Sequence, residues 1–287
     1  MAIAVVTGSS TGIGQATAAT LARAGHTVYA TMRNPGTGSN DLRSLAAQEK
    51  LDLRYAALDV DSDQSVRDTF SNILSEAGHI DVLVNNAGIA YSGAAEETPL
   101  ARFREVMETN FFGALRCIQA VVPAMRKRKS GCIINVTSVA GRFASAPQAA
   151  YASSKFALEA LSECLAQEMK TFGIRVAIVE PGVTATPIFG KIERPPADTA
   201  YPHSRRMGEL FRASLEKPVS PYIAGEKIRE IVDSGTWQLR HPVGPDAAGL
   251  LGWRASMTDE QWVEHGALSD EQWVDYVRKN FGLNVSL

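Results

Sequence analysis

Two side chains set four apart carry the most specific chemistry in this sequence: Tyr151 and Lys155, in Tyr151-Ala152-Ser153-Ser154-Lys155. Positions i and i+4 share one face of a helix, so the phenol and the amine stand side by side. A tyrosine with its ordinary pKa of about 10 is a poor base at neutral pH. A neighbouring cation favours the phenolate and lowers that value. Bringing it down by about three units takes roughly 4 kcal/mol of differential interaction, within reach of two adjacent cations. The pair therefore suits proton exchange with a substrate oxygen. Ser138, which follows Asn135-Val136-Thr137, supplies a hydroxyl able to hold the same oxygen. A Ser-His-Asp hydrolase is the rival arrangement. Ser138 lies in no G-x-S-x-G elbow, however, and His26, His79, His203, His241 and His265 show no pattern tying them to it. Without a Cys/His cluster at ligand spacing, no metal site is expected.

Near the N-terminus, Thr7-Gly8-Ser9-Ser10-Thr11-Gly12-Ile13-Gly14 joins an apolar run to a helical pattern. Glycine is needed where the backbone takes positive φ or approaches a ligand closely. The helix start then offers free N–H groups and partial positive charge to a pyrophosphate. Gly8, Ser10, Gly12, Ile13 and Gly14 are thus the expected cradle of a dinucleotide, in G-x-x-x-G-x-G spacing. After the second apolar run, a site preferring NAD places a carboxylate on the ribose 2′-hydroxyl. Met32 stands there instead, followed by Arg33, which suits the 2′-phosphate of NADP; a surface arginine ending a strand is the plain alternative. NADP(H) is therefore favoured over NAD(H). Asp59 and Val60 follow the third run, and Asp59 reads equally well as a partner for the adenine amino group or as a turn aspartate.

The elements that must position these groups are visible as alternating patterns. Runs at 2–6, 27–32, 53–57, 82–85, 132–136 and 176–179 are β-branched and lack polar alternation, as strands buried on both faces do. Helical patterns at 13–24, 63–77, 100–128 and 152–172 separate them, and a helix at 223–233 precedes a seventh strand near 238–241. This predicts an α/β fold: a Rossmann-type, doubly wound, parallel seven-stranded sheet with helices on both faces, in a single domain over 1–287. Ser138 then falls at the carboxyl edge of the sheet, where ligands bind in such folds. Residues 183–222 are rich in proline and read as a substrate loop or lid. From about 246 to 287 a helical C-terminal extension is expected, where Asp259-Glu260-Gln261-Trp262-Val263 recurs as Asp270-Glu271-Gln272-Trp273-Val274 behind capping residues Thr258 and Ser269. Phe143, Gln148, Phe189 and Tyr201 are candidate substrate contacts.

The bulk composition fits. Hydrophobic residues are 45% of 287 and charged residues 21%, with a net charge of −2, so the chain can bury a core and has no charge for nucleic acid or anionic membrane. The basic run Arg126-Lys127-Arg128-Lys129 reads as a solvated helix end. The apolar start is too short for a signal peptide or a span, so a soluble cytoplasmic protein is expected. Cys117, Cys132 and Cys164 lack C-x-x-C spacing and are expected to be reduced core thiols.

The combination of Thr7–Gly14, Asn85-Asn86-Ala87-Gly88, Ser138, Tyr151, Lys155 and Pro181-Gly182 resembles the short-chain dehydrogenase/reductase family over about residues 1–190. The resemblance implies a seven-stranded Rossmann sheet, homodimers or homotetramers formed through the long helices, and hydride transfer with a nicotinamide cofactor. It implies that Asn86, Ala87 and Gly88 line the cofactor site. Asn110 would complete a catalytic tetrad by holding a water that relays protons to Lys155. Pro181, Gly182, the Val183 backbone and the Thr186 hydroxyl would meet the nicotinamide carboxamide. Short stretches at 28–33 and 151–173 look similar to the hydroxysteroid and retinol dehydrogenase branch, which implies a hydrophobic steroid-, retinoid- or aromatic-like alcohol or carbonyl substrate. Two other functions stay open: a dehydratase or epimerase on the same scaffold, and a non-catalytic nucleotide sensor.

Overall fold

In the computed structural model, which describes residues 1–38, 40–192 and 198–287, the apolar runs assemble into one sheet. Its strands are β1 (Ile3–Val6), β2 (Thr27–Met32), β3 (Leu53–Ala57), β4 (Val82–Asn85), β5 (Gly131–Val136), β6 (Ile174–Pro181) and β7 (Arg240–Val243). All neighbours are parallel, in the order β3-β2-β1-β4-β5-β6-β7. The direction of winding reverses between β1 and β4, which opens a crevice beyond their carboxyl ends. The seventh strand lies two residues later than expected, because the register that pairs Ile178–Pro181 with Arg240–Val243 is set by β6.

Eleven α-helices are described: α1 (Gly12–Arg23), α2 (Asn40–Glu49), α3 (Asp63–Ala77), α4 (Leu100–Met107), α5 (Gly113–Arg128), α6 (Ala149–Lys170), α7 (His203–Ser214), α8 (Tyr222–Ser234), α9 (Ala247–Ala255), α10 (Asp259–Gly266) and α11 (Asp270–Phe281). Alternate strand residues feed two cores. Val6, Val84, Ile134 and Val179 pack with α1 and α8 on one face; Val5, Leu83, Ile133 and Ile174 pack with α3, α5 and α6 on the other. That two-sided burial explains why the strands read as continuous apolar runs.

Four features depart from the sequence expectations. The helix expected over 100–128 is interrupted by a π turn at Glu108–Phe112, which carries Asn110; such turns re-aim side chains within a helix. Helix α2 went unread because it buries only Leu42 and so has almost no apolar stripe. Helix α7 lies inside the proline-rich stretch, with Pro202 at its start and Met207, Leu210 and Phe211 at helical spacing. Cys164 is exposed and is not a core thiol, since it falls off the α6 stripe of Leu158, Ser162, Leu165 and Met169. Cys117 and Cys132 are buried, and burial pushes their thiols up to about 12 and about 11. Both Thr258 and Ser269 form capping boxes, with Gln261 and Gln272. No described helix is long and apolar enough to cross a membrane.

Candidate active site

The glycine turn is strapped to the end of β4 by one buried hydroxyl. Thr7 Oγ1 accepts hydrogen bonds from the backbone N–H groups of Asn86 and Ala87, each at 3.0 Å. In return Asn86 Nδ2 donates to the carbonyls of Thr7 (2.9 Å) and Gly8 (3.2 Å). Gly8 has φ +67°, and a Cβ on it would stand 2.8 Å from Ala87 Cα, so only glycine serves there. A Cβ on Gly14 would collide with the Gly8 carbonyl and the Asn86 amide; Gly14 works by close packing and does not line the cavity. Helix α1 begins with no side-chain cap at Thr11 and no acidic residue in its first turn. Its orphan amides are thus free to bind an anion. This cradle fits a pyrophosphate.

The turn opens into a cavity of about 1100 Å³. Gly8, Ser10, Gly12, Ile13 and Arg33 line it, with Asp59, Val60, Asn86, Ala87 and Gly88 beside them. Arg33 is exposed while Met32 is buried, so the cation and not the thioether meets solvent at that edge. One carboxylate oxygen of Asp59 accepts the Asp61 N–H at 3.2 Å, which makes Asp59 at least a turn-former. Ser138, Tyr151, Lys155, Pro181, Gly182, Val183 and Thr186 line the same cavity, as do Phe143, Gln148 and Phe189. Tyr201 does not; its phenol bonds to Glu96 instead.

Tyr151 sits in the first turn of α6 and Lys155 one turn on, with Nζ 5.7 Å from the phenol ring centroid. The amine is directed to the carbonyl of Val136 at 3.0 Å. Ser138 Oγ donates to the Pro181 carbonyl at 3.5 Å and caps the turn after β5 by accepting the Ala140 N–H at 3.1 Å. Burial pushes the Tyr151 phenol above its ordinary value, and the nearby Ser138 hydroxyl works against that rise. The downward shift expected from Lys155 is therefore not realised by these residues alone. The reason is geometric, since the ammonium is tied to the strand carbonyl. Burial likewise lowers Lys155, to about 8, and the nearby Glu159 carboxylate opposes the fall. The amine is thus charged at neutral pH but close to giving up its proton.

Asn110 is buried and does not line the cavity. Its Oδ1 accepts the Ile89 N–H (2.8 Å), and its Nδ2 donates to the Ile89 carbonyl and to Ser154 Oγ, both at 2.9 Å. It positions the loop after β4 against α6. A Cβ on Gly88 would stand 3.2 Å from Asn110 Oδ1 and 3.7 Å from Lys155 Nζ, so all three meet at that glycine.

Two contributors are not singled out by residue in the sequence, although its Trp-rich tail points to substrate recognition. Asp246, in the turn after β7, accepts the Val183 N–H at 2.8 Å, so that amide is already engaged, and its other oxygen is buried without a described partner. The turn-type sequence Gly244-Pro245-Asp246 carries no hint of this long-range contact. The second is an aromatic wall from the C-terminal helices. Phe143 meets Trp253 and Trp262 edge-on at 6.0 and 6.1 Å, and Trp253 Nε1 donates to Tyr276 Oη at 2.6 Å. Trp253, Trp262 and His265 all line the cavity. Their abundance in the tail was the available signal.

Comparison with known proteins agrees with this geometry. Residues 2–197 match the short chain dehydrogenase family. The chain is 35% identical over 269 residues to the uncharacterized oxidoreductase YusZ of Bacillus subtilis, covering 91% of this chain and 95% of that one. It is 40% identical over 203 residues to retinol dehydrogenase 8 of Bos taurus, covering 69% of this chain and 64% of the relative, less than two thirds of its length. A short-chain dehydrogenase from Streptomyces avermitilis superposes with TM-score 0.78 at 34% identity, covering 93% of this chain and 98% of the other. With the glycine cradle, the Ser138–Tyr151–Lys155 grouping and the seven-stranded sheet in place, the chain belongs to the short-chain dehydrogenase/reductase family, as an NAD(P)-dependent oxidoreductase similar to its retinol dehydrogenase branch.

Proposed function

We propose that this chain is an NADP-preferring enzyme that interconverts a ketone or aldehyde and the corresponding alcohol on a hydrophobic substrate. The observation that carries the reading is that Ser138, Tyr151 and Lys155 line the same cavity as the glycine turn. When bound, the dinucleotide supplies or accepts the hydride. Ser138 Oγ and Tyr151 Oη together hold the substrate oxygen, and Tyr151 gives or takes its proton. Lys155 would hold the nicotinamide ribose of a bound cofactor and bring positive charge near the phenol. The oxidised nicotinamide would supply a second cationic charge there, favouring the phenolate against the burial that raises the phenol. Asn110 keeps the loop after β4 in register with α6. Arg33, exposed at the cavity edge, pairs with a 2′-phosphate.

A hydrophobic substrate is supported by Phe143, Trp253 and Trp262, and by Phe189, whose ring lies 4.9 Å from that of Phe211. Of the lid stretch 183–222, residues 193–197 lie outside the described residues; the described parts, including α7, act as the lid over that end, with Phe189, Met207 and Phe211 lining the cavity. Phe112 and Phe156, each 42% exposed, give the long helices apolar faces for self-assembly as a homodimer or homotetramer.

The test is nicotinamide absorbance with both cofactors and a panel of steroid, retinoid and aromatic ketones, aldehydes and alcohols. Tyr151→Phe is expected to lower kcat by about 10²–10⁴-fold on the best substrate. Full turnover in that variant refutes the assignment. Arg33→Ala is expected to weaken NADP binding by about tenfold, equivalent to roughly 1.4 kcal/mol, and to leave NAD binding alone. An unchanged NADP preference refutes the role of Arg33.

A further inference from the structure

Three consecutive residues at the end of β5 are each approached by one of three residues spaced four apart on α6. The Ser138 hydroxyl lies near the Tyr151 phenol, Val136 O accepts Lys155 Nζ at 3.0 Å, and Thr137 Oγ1 donates to Glu159 Oε1 at 2.7 Å. The first two approaches belong to the reacting groups. The third is a carboxylate only 4% exposed, one helical turn beyond the amine. Its second oxygen accepts Arg240 Nε of β7 at 3.0 Å.

The other charges around it come from α6, β6, β7, α8 and the turn before α6. Arg240 also pairs with Glu163, the next residue of the α6 ladder, at 2.5 Å, and approaches Glu180 of β6 at 3.5 Å. Arg142, from the turn before α6, meets Glu180 at 3.0 Å. Glu180 is fully buried, and its Oε2 has no hydrogen-bond partner among the described residues. His241 of β7 feels both Glu180 and Glu230. Carboxylates thus outnumber arginines in this cluster, with Glu159, Glu163 and Glu180 against Arg142 and Arg240. Lys155 is the further buried cation beside it, and its own hydrogen-bond acceptor is a neutral carbonyl. An amine so placed tends to shed its proton unless an anion stands near.

We propose that Glu159 is a positioning residue that keeps Lys155 in its ammonium form and, through Thr137, fixes the strand end that presents Ser138. This rests on reading Tyr151 and Lys155 as the proton-exchange pair. The same reasoning explains why a buried carboxylate is tolerated here. Burial raises Glu159, the Thr137 hydrogen bond lowers it, Glu180 raises it, and Arg240 lowers it again. With the Glu159 carboxylate already opposing burial, Lys155 stands at about 8, so little further loss is needed before it is neutral at physiological pH.

The test follows the ionisation of Lys155 itself, in the full chain carrying ¹³C-labelled lysine, with the Cε resonance assigned by Lys155→Arg. Glu159→Gln is expected to raise the acid dissociation constant of Lys155 by about tenfold, one unit of pKa. Glu163→Gln removes the same charge one turn farther along and is expected to change it by less than about twofold. A purely structural role for Glu159 lowers the melting temperature and leaves the constant where it was; that result overturns the inference. If Glu159→Gln does not fold, Thr137→Val, which removes the hydroxyl that aims the carboxylate, must shift the constant in the same direction, and no shift there overturns it equally. Turnover is measured alongside. A shift in a chain that reduces no carbonyl refutes the proposed function and supports this inference, whereas turnover with no shift refutes this inference alone.

Discussion

Replacing Thr7 by valine keeps the shape of the side chain and deletes one oxygen, and that oxygen satisfies two backbone amides. Asn86 N and Ala87 N each reach it at 3.0 Å, and Thr7 is 1% exposed. A fully buried amide stripped of its acceptor costs about 1–3 kcal/mol. Asn86 and Ala87 are half-buried, so water recovers part of this, and the lower half of the range applies to each. The expected loss is about 2–4 kcal/mol for the pair. At this chain length that lowers Tm by roughly 3–7 °C. Because the two amides strap the glycine turn to β4, NADP affinity by titration calorimetry must fall with the stability. Thr7→Ser retains the oxygen and is expected to recover most of both. A Thr7→Val protein that melts within about 1 °C of the parent refutes the strap, as does a serine variant damaged as badly as the valine one.

Two further outcomes follow from charges and thiols. Burial tends to raise Asp81, but the Ile3 N–H (2.9 Å), Arg128 (2.8 Å) and His79 outweigh it and hold the carboxyl below its ordinary value of 3.8. Its folded-state pKa is depressed, so its contribution to stability is present above 3.8 and is lost as pH falls through the lower folded value. In urea unfolding, Asp81→Asn must therefore be less stable than the parent at pH 7 by about 1–2 kcal/mol, and the gap must close in acid; a gap independent of pH refutes it. Of the three thiols, exposed Cys164 alone is expected to react at once with a disulfide reagent in the native chain, and Cys164→Ser to abolish that fast phase. A second fast thiol contradicts the burial of Cys117 and Cys132.

The sheet could be read from the sequence because its inner strands are buried on both sides and so leave unbroken apolar runs; Val82–Asn85 and Thr27–Met32 match residue for residue. The cofactor turn and the Tyr151–Lys155 pair were readable for the same kind of reason: local geometry dictates local spacing. What escaped was long-range or weakly patterned. Helix α2 carries one buried side chain, and α7 hides among prolines. Asp246 reaches Val183 across 63 positions, and nothing in a turn sequence states where its carboxylate points. The electrostatic balance at Tyr151 also lay beyond spacing. A shared helix face placed Lys155 beside the phenol, but only the packed structure reveals that the amine bonds Val136. Exposure of Cys164 was misjudged because apolar neighbours in sequence are not neighbours in space.

The family match ends at residue 197, whereas Trp253, Trp262, His265 and Phe281, which complete the cavity wall, all lie beyond it. The reacting groups and the tail's aromatic lining are thus written on separate stretches of chain, with Phe143 and Phe189 contributed from within the match. Mutation in the last third can reshape what the cavity admits while the hydroxyls, the amine and the nucleotide turn stay untouched. Such a division lets one ancestral chemistry diversify by replacing its tail, and it marks residues 203–283 as the portion to exchange between relatives when a new specificity is sought.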